Sequence, residues 1–158
     1  MKPALVYLRS VYTNDGEPRP EVVFFLYRLL SERPAEANIS HAKMPSMDEH
    51  VKFVRSMPYR YWGIVSNLPG RDVGAVYVTE ENEVGVAIAR EYQRQGYAEA
   101  ALRDLLRAVD PLPALAGKRR GAFIANVAPA NQRSHALFQK LGGRPIEITY
   151  ELPRGGKQ

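Results

Sequence analysis

The chain is expected to fold as a mixed α/β domain in which a mostly antiparallel sheet is flanked by helices. Three observations support this. Strand-like runs at residues 59–66, 73–79 and 83–88 are separated only by the turn sequences Asn67-Leu68-Pro69-Gly70 and Glu80-Glu81-Asn82, as the strands of an antiparallel meander are. Ala98, Ala101, Leu102, Leu105, Leu106 and Val109 recur at the spacing of one buried helical stripe. Strand-like and helix-like segments also interleave along all 158 residues without a repeat or a low-complexity linker. That pattern fits a single domain, residues 1–158, with a sizeable core. On the order of six to seven strands and four helices are expected.

Taken in order, residues 4–11 read as a first strand and Asn14-Asp15-Gly16 as a turn. A helix fits residues 21–31, with apolar pairs at Val22/Val23, Phe25/Leu26 and Leu29/Leu30. The connection over 32–45 is long for a compact domain, and such segments often bind ligands. Ser46-Met47-Asp48-Glu49 is a capping box that starts a second helix, ended near Met57 by Pro58. The three meander strands follow, then the helix over 98–109. Asp110-Pro111-Leu112-Pro113 stops it, because proline cannot continue a helix. A further strand is expected over 122–127 and a helix over 130–141, closed by Gly142-Gly143 as left-handed cap residues. A last strand over 144–152 and a loose tail over 153–158 complete the order β-α-α-β-β-β-α-β-α-β.

Composition removes several classes of function. There is no cysteine, which excludes disulfides, a cysteine nucleophile and thiolate metal sites. The histidines at 41, 50 and 135 lack metal-ligand spacing, so no metal is expected. The longest apolar run, residues 22–27, is too short to span a bilayer and is followed by Arg28. Met1-Lys2-Pro3-Ala4 carries no signal-peptide core, which makes cytoplasmic the expected location and a membrane partner unexpected. A formal charge of +5 suits an anionic ligand, either a nucleotide-bearing cofactor or a nucleic acid. Lys118-Arg119-Arg120 is the densest basic cluster and reads as a solvated loop.

The segment of greatest chemical interest is EVGVAIAREYQRQGYAEAALRDLLRAV, residues 83–109. A short apolar strand passes through a polar turn into Gln93-x-x-Gly96-x-Ala98, which opens the periodic helix. The first amides of a helix have no partner within it, and the helix end adds partial positive charge. Gly96 and Ala98 let an anion approach the main chain closely. The segment therefore suits a phosphate or pyrophosphate, although a glycine before a helix also serves as a plain turn residue. Neither G-x-G-x-x-G nor G-K-[ST] is present.

These features combine with a later Asn131-x-x-Ser134 that opens a helix ending Lys140-Leu141-Gly142. Together they resemble the GNAT superfamily of acyl-CoA-dependent N-acyltransferases, sharpest from Glu83 to Gly142. The resemblance implies a GNAT-like fold and acetyl-CoA as co-substrate. It implies that Val86, Ala87 and Ile88 pair with the pantetheine arm as an added strand, and that Arg94, Gln95, Gly96, Tyr97, Ala98 and Glu99 hold the pyrophosphate. Asn131, with Ser134 and Phe138 on the same helix, would contact the lower arm of coenzyme A. Arg90, Arg94, Arg133 and Lys140 are cations that could complement the phosphates.

The implied chemistry is direct attack of a primary amine on the bound thioester, both substrates occupying the site together. Holding amine and thioester at attack distance supplies on the order of 7–11 kcal/mol, against a hundredfold to ten-thousandfold in rate from a typical positioned acid or base. Many members place a tyrosine seven residues after the asparagine as general acid. Here that residue is Phe138, leaving Ser134, His135 or Tyr150 as substitutes, or a thiolate that departs unaided. For the base, the resemblance points to Glu83, with Glu81 and Glu80 behind it. Strand alternation sets Glu83 and Glu81 opposite Val84, Val86 and Ile88, without indicating which face meets the substrate. Asn38, Ser40 and His41 fall in the region that commonly lines the acceptor site in the family, while Tyr59, Tyr61 and Trp62 read as core or cleft wall.

The leading reading is an acetyltransferase acting on a small-molecule amine, for example an amino sugar, or on a peptide amine; a homodimer is compatible with it. A catalytically silent coenzyme A-binding protein is the alternative that Phe138 raises. A nucleic-acid-binding module is the other, suggested by a pI near 9.6. Basic and aromatic residues do not interleave on any one element, which counts against nucleic acid.

Overall fold

The computed structural model describes residues 2–34, 43–68 and 70–155. Its elements are β1 (Val6–Ser10), α1 (Pro20–Ser31), α2 (Met47–Arg55), β2 (Tyr61–Asn67), β3 (Arg71–Val78), β4 (Val84–Ile88), α3 (Tyr97–Ala108) and α4 (Gln132–Lys140). A short 3-10 turn, Arg90–Tyr92, lies between β4 and α3. The strands form one antiparallel sheet in the order β1-β2-β3-β4, so the expected meander is present and β1 extends it.

Alternation along β2, β3 and β4 sends side chains to two separate cores. Trp62, Ile64 and Ala75 pack with Val22, Leu26 and Leu29 of α1 and Val54 of α2. Val65, Val76, Val78 and Val84 pack on the other face with Ala101, Leu102 and Leu105 of α3. The stripe read from the sequence is therefore the buried face of α3. Half-buried Leu137 and Phe138 of α4 join that second core.

Local chemistry fixes the helix ends. Ser46 Oγ accepts the Glu49 amide and the Glu49 carboxylate accepts the Ser46 amide, each at 3.2 Å, completing the expected capping box. His50, one residue further on, is buried and hydrogen-bonds the Val23 carbonyl through Nε2 at 3.0 Å, tying α2 to α1. Burial holds its imidazole below the ordinary value, against the opposing pull of that carbonyl. Helix α4 is capped by Asn131, and Gly142 behind it takes the left-handed conformation at φ +88°.

The turn from β3 to β4 is built around Asn82, which is fully buried and left-handed at φ +66°. Its Oδ1 accepts from the Leu112 amide at 2.7 Å and from Arg60 at 3.2 Å. Its Nδ2 donates to the carbonyls of Leu112 and Arg120, both at 2.8 Å. The Asn82 carbonyl accepts the Ile124 amide at 3.0 Å, and the Val84 amide donates to the Ile124 carbonyl at 2.8 Å. One side chain thus joins the β3–β4 turn, the connection after α3, and the start of the chain leading to α4.

Two expected strands do not form among the described residues, and the sheet has four strands rather than six to seven. Residues 122–127 make only a single parallel bridge, Ile124 to Glu83, after which the chain leaves β4. Residues 144–152 carry the alternating apolar pattern of a strand but no ladder partner. Ile148, Tyr150 and Leu152 are 76%, 77% and 81% exposed, and the segment's ion pair is Glu147 with Arg120 at 3.6 Å. An alternating pattern produces a strand only where a neighbour supplies the hydrogen bonds.

Asn82→Ala empties a fully buried position and leaves the Leu112 amide and two carbonyls without their part-buried side-chain partner. It is expected to lower unfolding free energy by about 2–4 kcal/mol, measurable as a shifted denaturant midpoint at unchanged slope.

Candidate active site

The start of α3 is the open helix end read from the sequence. Gly96 is the N-cap, left-handed at φ +84°, and no side chain caps the helix. The first-turn amides of Tyr97, Ala98 and Glu99 therefore have no partner within the helix and no capping group. Gly96 itself is exposed, with only the Ala4 methyl 3.7 Å from where a Cβ would lie. The bend is held from behind, because Asn67 at the end of β2 donates to the Tyr97 hydroxyl at 3.1 Å.

The adjoining edge of β4 is open. Since the Val84 amide points away from β3 toward Ile124, alternation points the main-chain groups of Val86 and Ile88 the same way. The Ile88 carbonyl is taken by Gln93 Nε2 at 3.0 Å. The N–H and C=O of Val86 have no partner among the described residues. They face a cleft of about 620 Å³ whose walls include Val86, Ala87, Ile88, Arg94, Gly96, Tyr97, Ala98, Glu99, Asn131, Ser134, Leu137 and Phe138.

On the far wall, Asn131 Oδ1 accepts the Ser134 amide at 3.2 Å. The Asn131-x-x-Ser134 spacing is thus an N-cap and its third helical residue, and Asn131 lines the cleft with no hydrogen bond from its Nδ2 among the described residues. Arg133 donates to Gln93 at 2.9 Å, bracing the wall against the turn before α3. Lys140 pairs with Glu99 at 2.7 Å and Arg103 with the same carboxylate at 3.0 Å. These two cations, Lys140 first, hold the Glu99 carboxyl below its ordinary range. Arg94, at φ +62°, has no ion-pair partner among the described residues.

A second cavity, of about 710 Å³, lies on the other side of β4 between the sheet, α1 and α2. Tyr59 and Tyr77 stack in its wall with ring centroids 4.2 Å apart, and Trp62 meets Tyr59 edge-on at 4.8 Å. The two cavities share Leu29, Arg33, Tyr77, Val86 and Ala87 as lining residues, so they meet at the middle of β4. Tyr77 lies opposite Gly85 in the β3–β4 register, and its ring occupies the space a Cβ on Gly85 would need. Burial, then the nearby Glu83 carboxylate, raises the Tyr77 phenol. Burial likewise pushes Tyr59 up to about 12, with Tyr77 and Glu83 adding to it and Arg33 opposing.

The positions of the expected site residues follow from this geometry. Val86, Ala87, Ile88, Arg94, Gly96, Tyr97, Ala98, Glu99, Asn131, Ser134 and Phe138 surround one cleft, while Gln95 is exposed in the adjacent turn with its side chain on the Glu91 carbonyl. Register sets Glu83 on the sheet face of Tyr77, although it lines neither cavity, whereas Glu81 stands exposed at the turn. Of the candidate acids, Ser134 lines the cleft; His135 faces the Ala128 carbonyl at 3.2 Å, and Tyr150 lies in the exposed terminal segment. Asn38, Ser40 and His41 lie outside the described residues. Tyr59 and Trp62 form cavity wall as expected, and Tyr61 packs against the α3 core. Tyr77 and Arg33 were not singled out from the sequence. The available signal was Gly85, a glycine inside a strand, which marks close approach of another group.

The profile of the acetyltransferase (GNAT) domain matches residues 17–144. The chain therefore belongs to the GNAT acetyltransferase family, whose members use acetyl-CoA as co-substrate, and it is an acetyl-CoA-dependent N-acetyltransferase. No curated protein sequence matches it. Among solved structures, it is similar to a domain from Methanocaldococcus jannaschii, with a TM-score of 0.66 at 19% identity, covering 94% of each chain. It is also similar to a possible acetyltransferase from Clostridium difficile, TM-score 0.59 and 16% identity over 95% of this chain and 99% of that one. A chimera of the Vibrio cholerae spermidine N-acetyltransferase SpeG and hSSAT gives a TM-score of 0.61 at 16% identity, over 85% and 78% of the two chains. At these identities the likeness is one of fold. Among the described residues no helix is long and apolar enough to cross a membrane, and no group of three or more His, Cys, Asp or Glu could hold a metal ion.

Gly96→Ala forces a Cβ into the left-handed region. It is expected to cost about 1–2 kcal/mol of stability and to weaken coenzyme A binding, both readable by calorimetry.

Proposed function

We propose that this enzyme acetylates the primary amine of a small molecule or a peptide by direct attack within a ternary complex. The observation that carries the reading is the meeting of two cavities at Tyr77, Val86 and Ala87. One has a strand edge and a helix start suited to an extended amide chain ending in a diphosphate. The other has room for an acceptor.

In this reading the free peptide groups of Val86 align the pantetheine arm by strand addition. The α3 amides from Tyr97 to Glu99, with Gly96 and Arg94, hold the pyrophosphate. Asn131 and Ser134 fix the lower arm from the opposite wall, and Phe138 supplies an apolar surface. Glu83 takes the proton that the attacking amine must lose, and its place on the acceptor face favours it over Glu81 at the exposed turn. With phenylalanine at 138, proton return to the thiolate falls to Ser134 or to water. Positioning then carries most of the rate.

A ligand present at a hundred times its Kd stabilises the folded state by about 2.7 kcal/mol. Acetyl-CoA is expected to do so here, and free thiol should appear when a suitable amine is added. No stabilisation at millimolar acetyl-CoA would refute the assignment. Glu83→Gln is expected to lower turnover by about a hundredfold or more, most steeply at acidic pH where the amine is most protonated. An unchanged pH profile would remove Glu83 from the role.

A further inference from the structure

We infer that the acceptor is the α-amino group of a free apolar amino acid, with its carboxylate toward Arg33, its amine toward Glu83 and its side chain in the aromatic cavity. This rests on the acetyl-transfer reading above and adds the substrate class. The first ground is the cavity wall, which is dominated by Leu26, Leu29, Phe53, Tyr59, Trp62 and Tyr77. Such a surface gains from an apolar or aromatic body and offers little to a hydrophilic one.

The second ground is charge. Among the described residues the one carboxylate in that wall is Glu49, and it already accepts the Ser46 amide in the capping box. Arg33 and Lys43 stand in the same wall. Among the described residues a polyamine would meet two cations and no free acid cluster, which disfavours it.

The third ground is the junction itself. Arg33 lines both cavities, and Glu83 lies on the same sheet face as Tyr77 by register. The two charges act in opposite directions on the same phenols, Glu83 raising and Arg33 lowering Tyr77, behind the larger effect of burial. No ion pair joins them among the described residues. An α-amino acid carries its ammonium and carboxylate on one carbon, which suits a cation in the cavity wall and an anion on the same sheet face, both near Tyr77. A peptide N-terminus lacks the adjacent carboxylate and leaves Arg33 unanswered.

The transfer balances without any further reactant. The ammonium gives one proton to Glu83, nitrogen bonds to the acetyl carbon, and the carbon–sulfur bond breaks. The nitrogen's second proton ends on sulfur, giving an N-acetyl amino acid and free thiol.

Trp62 is the sole tryptophan and lines the cavity, so its fluorescence reports occupancy without turnover. Titrations with phenylalanine, 2-phenylethylamine and spermidine, each checked by thiol release with acetyl-CoA, test the inference. Phenylalanine is expected to bind and react at least tenfold better than 2-phenylethylamine, with spermidine weakest. Arg33→Gln should bring phenylalanine down to the level of 2-phenylethylamine and leave that amine unchanged. Spermidine or 2-phenylethylamine matching phenylalanine, or an Arg33→Gln loss shared by all three, would overturn the inference. Calorimetry separates the two failures. Coenzyme A binding without the phenylalanine preference sinks the substrate class alone, whereas no coenzyme A binding sinks the function and this inference with it.

Discussion

The binding surfaces of this protein exist because two neighbouring chain segments meet at one point and then part. Asn82 sits at that point, buried and left-handed, with four side-chain hydrogen bonds to Arg60, Leu112 and Arg120. A buried amide with such partners is costly to move, since each bond lost leaves a group desolvated and unpaired. The neighbouring bridge between Glu83 and Ile124 is therefore fixed in place. Beyond it the chain after Ile124 turns away, and the Val86 peptide faces a gap where a further strand would otherwise lie. The cleft is an interrupted sheet, opened by design of its hinge point.

The helix that closes the other end of that gap is positioned by equally specific contacts. Asn67 holds Tyr97 from the end of β2, and the fully buried Leu102 and Leu105 seat α3 on the sheet. Rigid seating matters here because unpaired amides attract an anion only when they are held in a common direction. Lys140 and Arg103 answer the Glu99 carboxylate, which would otherwise repel negative charge at the helix start. Arg94 has no ion-pair partner among the described residues.

Much of this was legible in the amino-acid sequence, for local reasons. The capping box at Ser46 and Glu49, the α3 stripe, the glycine before α3, the helix opened at Asn131 and the left-handed Gly142 are all set by residues within one or two helical turns. The residues to which the family resemblance pointed through those same motifs line one cleft, apart from Gln95 in the adjacent turn. What was not legible depended on partners far along the chain. Residues 144–152 have the right alternation for a strand, but pairing is a property of two segments. The face presented by Glu83 depended on the register between β3 and β4. Tyr77 escaped notice because its importance comes from lying over Gly85 and between two cavities, and Arg33 because it sits at the end of a helix, where arginine is ordinary.

The division of the sheet into two faces has a consequence for how such an enzyme diversifies. Side chains at alternate positions of β3 and β4 belong to different cores, so changes on one side share few contacts with changes on the other, and substitutions without shared partners act nearly additively. In the proposed reading, specificity can then drift in Phe53, Tyr59 or Trp62 while the half assigned to the nucleotide is inherited intact. A lineage built this way can exchange one amine for another without relearning its donor.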